Sequence, residues 1–122
     1  DQRTQKSNWL FETLCTDHDF RNVHRRVETD YENFTEDEKY LARCAGMRSV
    51  KSMLDELVAY FDGHISDDEW FNLKWNMAFS AKRPNVQEAY DFLKDGYPKK
   101  VQDYWESLST EGRGFITADG SN

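Results

Sequence analysis

The stretch TEDEKYLARCAGMRSVKSMLDELVAYFDG, residues 35–63, decides the fold. Thr35 and Glu38 stand at capping-box spacing, and Glu36 and Asp37 place negative charge at the positive end of a helix dipole. Tyr40, Leu41, Cys44, Met47, Val50, Leu54, Leu57, Val58 and Phe61 then recur at steps of three and four, predicting one buried face on a helix over 36–61. At about 1.5 Å per residue that helix is about 39 Å long. Gly63 stands where a helix stop belongs.

The pattern repeats downstream. Ser66 and Glu69 form a second capping box, opening a helix over 67–81 that carries Trp70, Phe71, Leu73, Trp75, Met77, Ala78 and Phe79 around nearly its whole circumference. Pro84 begins a helix over 84–95 that Gly96 ends, and Pro98 begins another over 98–109 with Val101, Tyr104, Trp105 and Leu108 inward. Upstream, Phe20, Val23, His24, Val27 and Tyr31 mark a long helix continuous with Trp9, Leu10 and Leu14. With six glycines and two prolines, punctuation is sparse, which favours helices over strands. The expected fold is all-α, a compact bundle of about five helices: two long, one medium, two short. One domain spans 1–109, and a loose tail with three glycines occupies 110–122.

Composition narrows the function classes. The 122 residues carry 16 basic and 23 acidic side chains, a formal net charge of −7, and 15% aromatics. Residues 34–69 hold 4 basic and 9 acidic groups, an acidic belt along the sequence. Nucleic-acid binders and anionic-membrane binders need the opposite balance. No apolar run approaches the roughly 18 residues of a membrane span. Asp1, with no signal-like segment after it, reads as a processed end or a cut in a longer chain.

Chemistry-bearing patterns are few. His18, His24 and His64 lack a second ligand at helical spacing, so neither a metal nor another cofactor is expected. Phosphate-loop, nucleophile-elbow and zinc signatures are missing, and the carboxylates are explained by caps and solvated faces, so no catalytic residue is expected. Cys15 and Cys44 fall on inner helix faces. They read as a disulfide in an extracellular protein and as buried thiols in a cytosolic one, and the disulfide, worth about 3 kcal/mol, is preferred. Asn33-Phe34-Thr35 is an N-glycosylation triplet whose members serve equally as loop residue and helix cap. Arg21, Arg25 and Arg26 lie on adjacent turns, as do Lys39 and Arg43. Such residues are usually solvated faces, yet here they also read as a contact track. Four tryptophans exceed the needs of a small core, and Trp9, Trp70 and Trp75 are the candidates for an exposed patch serving a partner or a homodimer.

The run Tyr90-Asp-Phe-Leu-Lys-Asp95 resembles a segment of the gastropod (abalone) sperm lysin family. As in that family, a Pro-Lys pair (Pro98, Lys99) follows, a basic pair (Lys82, Arg83) precedes, and Phe34-Thr35 opens the longest helix. The resemblance implies a five-helix bundle, a secreted protein of the sperm acrosomal vesicle, and a non-enzymatic part in fertilization. It also implies stoichiometric binding to an egg vitelline envelope glycoprotein. The family is strongly basic, whereas here basic tracks persist only at Arg21, Arg25, Arg26, Arg43 and Arg48, and two cysteines are added. A diverged relative with a changed partner, a basic gamete protein among the options, accords with −7. Two other readings compete: a lipid or fatty-acid carrier lined by Tyr60, Phe61 and the aromatic third helix, and an acidic inhibitor masking a basic partner through residues 34–69.

Overall fold

Both capping boxes form. Thr35 Oγ1 accepts from the Glu38 amide while Glu38 Oε1 accepts from the Thr35 amide, and Ser66 and Glu69 reciprocate in the same way. The computed structural model describes residues 9–10, 12–14 and 16–116, without the side chains of 109–116. Its helices are α1 (His18–Asp30), α2 (Glu36–Phe61), α3 (Asp67–Ser80), α4 (Pro84–Leu93) and α5 (Lys99–Ile116), with 3-10 turns at Tyr31–Asn33 and Lys94–Gly96. Among the described residues there is no strand, so the chain is an all-α bundle.

The expected lengths need two corrections. The first long helix is broken: residues 9, 10, 12–14 and 16 are helical, but Asp17 leaves the helix and caps α1 by accepting from the Phe20 amide at 3.0 Å. Arg21 spans the break, its Nη1 donating to the Leu14 carbonyl at 3.0 Å. The last helix is longer than expected, running to Ile116 instead of ending at 109.

α2 is the axis. Val50, Met53, Leu54 and Leu57 from α2, Leu73 and Met77 from α3, Val86, Ala89 and Tyr90 from α4, and Val101 and Trp105 from α5 make the main core. A smaller cluster of Val23, Val27, Phe34 and Ala42 joins α1 to the first half of α2. There the buried face differs from the expected one. Tyr40 is 68% exposed and Cys44 is exposed, while Ala42 and Gly46 point inward. The cause is α4, which lies so close that a Cβ built on Gly46 would stand 2.6 Å from the Asn85 carbonyl oxygen. Asn85 Nδ2 donates to the Ala42 carbonyl at 3.0 Å, while the buried Asn85 Oδ1 finds no partner. Only small α2 residues permit that approach, so the large ones turn aside.

α1 is held by charge as well as packing. Arg26 donates to Asp30 Oδ2 at 2.7 Å and to Glu38 Oε2 at 2.6 Å, with its guanidinium 5.0 Å over the Phe34 ring. Arg83, the residue before α4, donates to the His24 carbonyl at 2.9 Å and pairs with Glu28 at 3.3 Å. The His24 ring stacks on Phe20. Burial lowers the His24 pKa from its ordinary 6.5, Arg83 lowers it further, and Glu28 opposes both. The unfolded chain therefore takes up the His24 proton at higher pH than the folded one. Stability should fall as pH drops from about 6.5 toward the lower folded value. A His24→Phe variant keeps the ring and loses the proton site, so its thermal midpoint should vary less over that interval. An unchanged profile would contradict the assignment. Asp30 is lowered by its bonds from Asn33 and Arg26, and Glu38 by the Thr35 amide and Arg26, so their contribution is lost only in more acidic solution.

Candidate functional site

The structure sorts the candidate residues into structural and accessible ones. Arg26 is consumed by Asp30 and Glu38 and anchors α1. Arg25 is exposed and bonds Asn22 Oδ1 at 3.1 Å, and Arg43 is exposed, 3.8 Å from Glu88. Glu88 also accepts from the Tyr31 hydroxyl at 2.9 Å, and burial with that carboxylate pushes the Tyr31 pKa up to about 12. Arg26 is thus set apart from Arg21, Arg25 and Arg43, which are exposed. Asn33 is exposed in the turn after α1, with its amide nitrogen donating to Asp30 Oδ1 at 2.9 Å. Cys44 carries a free, exposed thiol on the outer side of α2, not the inner face expected of it. Its expected partner in a disulfide, Cys15, lies outside the described residues.

Trp70 is not open. Its ring stacks on Tyr60 with centroids 3.6 Å apart and meets Tyr104 at 5.5 Å, while Phe61 meets Tyr104 at 6.4 Å. Rings fill the place where a lipid carrier would have its lining. The acidic belt also divides in space. Glu36, Asp37 and Glu38 stand at the start of α2, whereas Asp67, Asp68 and Glu69 open α3, beyond the other end of α2. About 39 Å of helix intervenes, so six of the nine acids fall in two separate capping clusters, and Asp55, Glu56 and Asp62 lie between them.

Two accessible surfaces among the described residues combine aromatic rings with the candidate residues. The first is a groove of about 220 Å³ lined by Trp9, Arg48, Lys51, Ser52 and Asp55. Arg48, Lys51, Ser52 and Asp55 share one side of α2 at steps of three and four, a spacing readable in the sequence, while Trp9 arrives from the N-terminal helical stretch. The Arg48 guanidinium lies 4.4 Å from the Trp9 ring centroid, and Trp9 also meets Phe20 at 6.0 Å. Lys51 is 3.4 Å from Asp55, which accepts from the Tyr97 hydroxyl at 2.6 Å. Burial and that bond raise the Tyr97 pKa, so the hydroxyl stays protonated and fixes Asp55. The groove offers an aromatic face, two cations, a hydroxyl and a carboxylate: donors and acceptors for a polyhydroxylated or anionic ligand.

The second surface is the outer face of α3. Phe71 and Trp75 are 68% and 50% exposed, and Phe79 is 45% exposed and stacked on Trp75 with centroids 5.4 Å apart. Trp75 is the residue the sequence marks for such a face, and Phe71 and Phe79 flank it at four-residue spacing. Among the described residues no three metal-ligating side chains gather, and no helix is long and apolar enough to cross a membrane. Comparison with family models, curated proteins and solved structures returned no match to this chain.

Proposed function

We propose that this chain is a non-enzymatic, secreted binding protein of the sperm lysin type, stored in the acrosomal vesicle and acting in fertilization. Its partner is an egg-coat glycoprotein or another gamete protein. The observation that carries the reading is the Trp9–Arg48 groove, where an aromatic face and cations stand together on a protein otherwise rich in acid. The all-α bundle around a 26-residue axial helix supports it, as does the Tyr90–Asp95 run. In that run Tyr90 is buried, stacks on Trp105 and donates to Glu106 at 2.8 Å, so the segment joins α4 to α5.

An aromatic ring flanked by donors suits sugar rings, and Arg48 with Lys51 suits the acidic groups of a sialylated, sulfated or acidic-peptide partner. Binding by these few groups is sensitive to each of them. Gastropod vitelline-envelope glycoprotein should bind saturably. Trp9→Ala and Arg48→Ala should each weaken binding about tenfold or more, the loss of about 1.4 kcal/mol or more typical of a central contact. Surface plasmon resonance on immobilised envelope glycoprotein measures this. Absent binding, or equal affinity in all three proteins, would refute the proposal.

A further inference from the structure

Asn33-Phe34-Thr35 is the single Asn-x-Ser/Thr triplet in the 122 residues, and no proline stands within it or directly after it. The 3-10 turn Tyr31–Asn33 ends at the asparagine. Phe34 (φ −66°, ψ 141°) and Thr35 (φ −67°, ψ 167°) then run extended until α2 begins at Glu36. The end of the triplet therefore lies outside both helices, on the surface, where a modifying enzyme finds backbone it can grip. Phe34 is buried between the Tyr31 ring, 5.3 Å away, and the Arg26 guanidinium, whereas Asn33 and Thr35 on either side of it are exposed. Along extended backbone alternate residues share a side, so the buried ring turns the amide and the hydroxyl outward together.

The structural duty of each polar residue leaves an atom for chemistry. An asparagine amide nitrogen carries two hydrogens, and the bond from Asn33 Nδ2 to Asp30 Oδ1 at 2.9 Å uses one. Thr35 Oγ1 accepts from the Glu38 amide at 3.1 Å, which leaves the hydroxyl hydrogen to donate. We propose that Asn33 is a site of N-linked glycosylation. The proposal rests on the secreted reading, because the co-reactant, an oligosaccharide carried on a lipid diphosphate, belongs to the secretory route. Asn33 Nδ2 attacks the anomeric carbon of the first sugar. The nitrogen–carbon bond forms as the bond from that carbon to the diphosphate oxygen breaks. The electron pair leaves with the lipid diphosphate, and one Nδ2 proton goes to the base of the transferase. Nδ2 keeps its other hydrogen, so a bond to Asp30 is still available in the product. The sugar then stands beside a groove of about 350 Å³ whose walls include Glu28, Thr29, Tyr31 and Pro84. Those walls offer a carboxylate and hydroxyls to sugar hydroxyls. Thirteen residues separate Thr35 from Arg48, about 20 Å along α2, so the attachment point stands clear of the Trp9–Arg48 groove.

Expression in insect cells behind a cleavable secretion signal tests the site. The wild type should exceed the 14.5 kDa of the polypeptide by one oligosaccharide. Peptide:N-glycosidase should remove the excess and leave a carboxylate at position 33. Asn33→Gln should lose the modification. Thr35→Asp separates the acceptor from the cap, since aspartate caps a helix but lacks the hydroxyl of the triplet. That variant should keep the helical circular dichroism of the unmodified chain and emerge bare, whereas Thr35→Ser keeps both functions and should stay modified. A bare wild type, in the medium or in the microsomes of those cells, would overturn the proposal. So would an oligosaccharide retained on Asn33→Gln or on Thr35→Asp. The signal is supplied and no residue of the Trp9–Arg48 groove is changed, so this test can fail while envelope binding succeeds, and the reverse.

Discussion

Trp105→Ala should remove about 3–5 kcal/mol of stability, much of the 5–15 kcal/mol that a domain of this kind possesses. Trp105 is 1% exposed and stacks on Tyr90 at 5.4 Å and 16°. It lies in the same cluster as Leu54, Leu57, Met77 and Val101, where α2, α3, α4 and α5 converge. Truncation leaves a cavity that residues on four separate helices would have to fill. Tyr90 also loses its stacking partner while remaining tied to Glu106 and the Gln102 carbonyl on the same helix. Urea unfolding should show the midpoint fall with little change in slope. Trp75→Ala should shift stability by less than about 1 kcal/mol, since that ring is half exposed. Similar losses for the two variants would contradict the assignment of core and surface.

Gly46→Ala is the second large effect, about 2 kcal/mol of lost stability from adding one methyl group. In a solvent-exposed helix the same change would stabilise by up to about 1 kcal/mol. Here the new Cβ would meet Asn85 O at 2.6 Å and Asn85 C at 3.0 Å, both backbone atoms of α4. A backbone cannot rotate away as a side chain does, so α4 must shift as a unit, loosening Val50, Val86 and Ala89. Gly96→Ala is the control, because a Cβ at that position meets nothing within 4 Å and the backbone there is not left-handed. Gly63 differs again: its φ of +79° closes α2, and there the side chain is disfavoured by conformation alone. Thermal melts of the Gly46→Ala and Gly96→Ala variants should separate, and coincident curves would refute the close approach of α2 and α4.

Gly46 also explains what the sequence concealed. Caps, breaks and periods depend on local chemistry, so Thr35, Ser66, Pro84 and Gly63 marked helix ends correctly. Which face of α2 points inward depends on a neighbour some forty residues away. Counting large apolar residues therefore placed Tyr40 and Cys44 inside, whereas the close contact needed Ala42 and Gly46. Trp70 and Trp75 show the same limit. They are five residues apart on one helix, and the Tyr60 and Tyr104 rings, from two different helices, decide that Trp70 is covered. The break at Asp17 was locally written, since an Asp three residues before Phe20 is a capping residue. The apolar period running through it hid the signal.

The groove was half legible. Arg48, Lys51, Ser52 and Asp55 share a helix side by spacing alone, but the arrival of Trp9 over Arg48 is tertiary. The net charge of −7 takes on a different meaning once the acidic belt divides into capping clusters at either end of α2. Much of the acid then belongs to the helix starts, while Arg48 lies against the Trp9 ring and Lys51 pairs with Asp55 in the groove between them.

The function proposed for this protein is stoichiometric binding without chemistry. Isothermal titration of purified gastropod vitelline-envelope glycoprotein with the chain, followed by mass spectrometry of the recovered glycoprotein, tests it most directly. The heat should saturate at a fixed molar ratio, and the glycoprotein should keep its covalent mass. A glycoprotein cleaved or modified by substoichiometric amounts of the chain, or an absence of saturable heat, would contradict it.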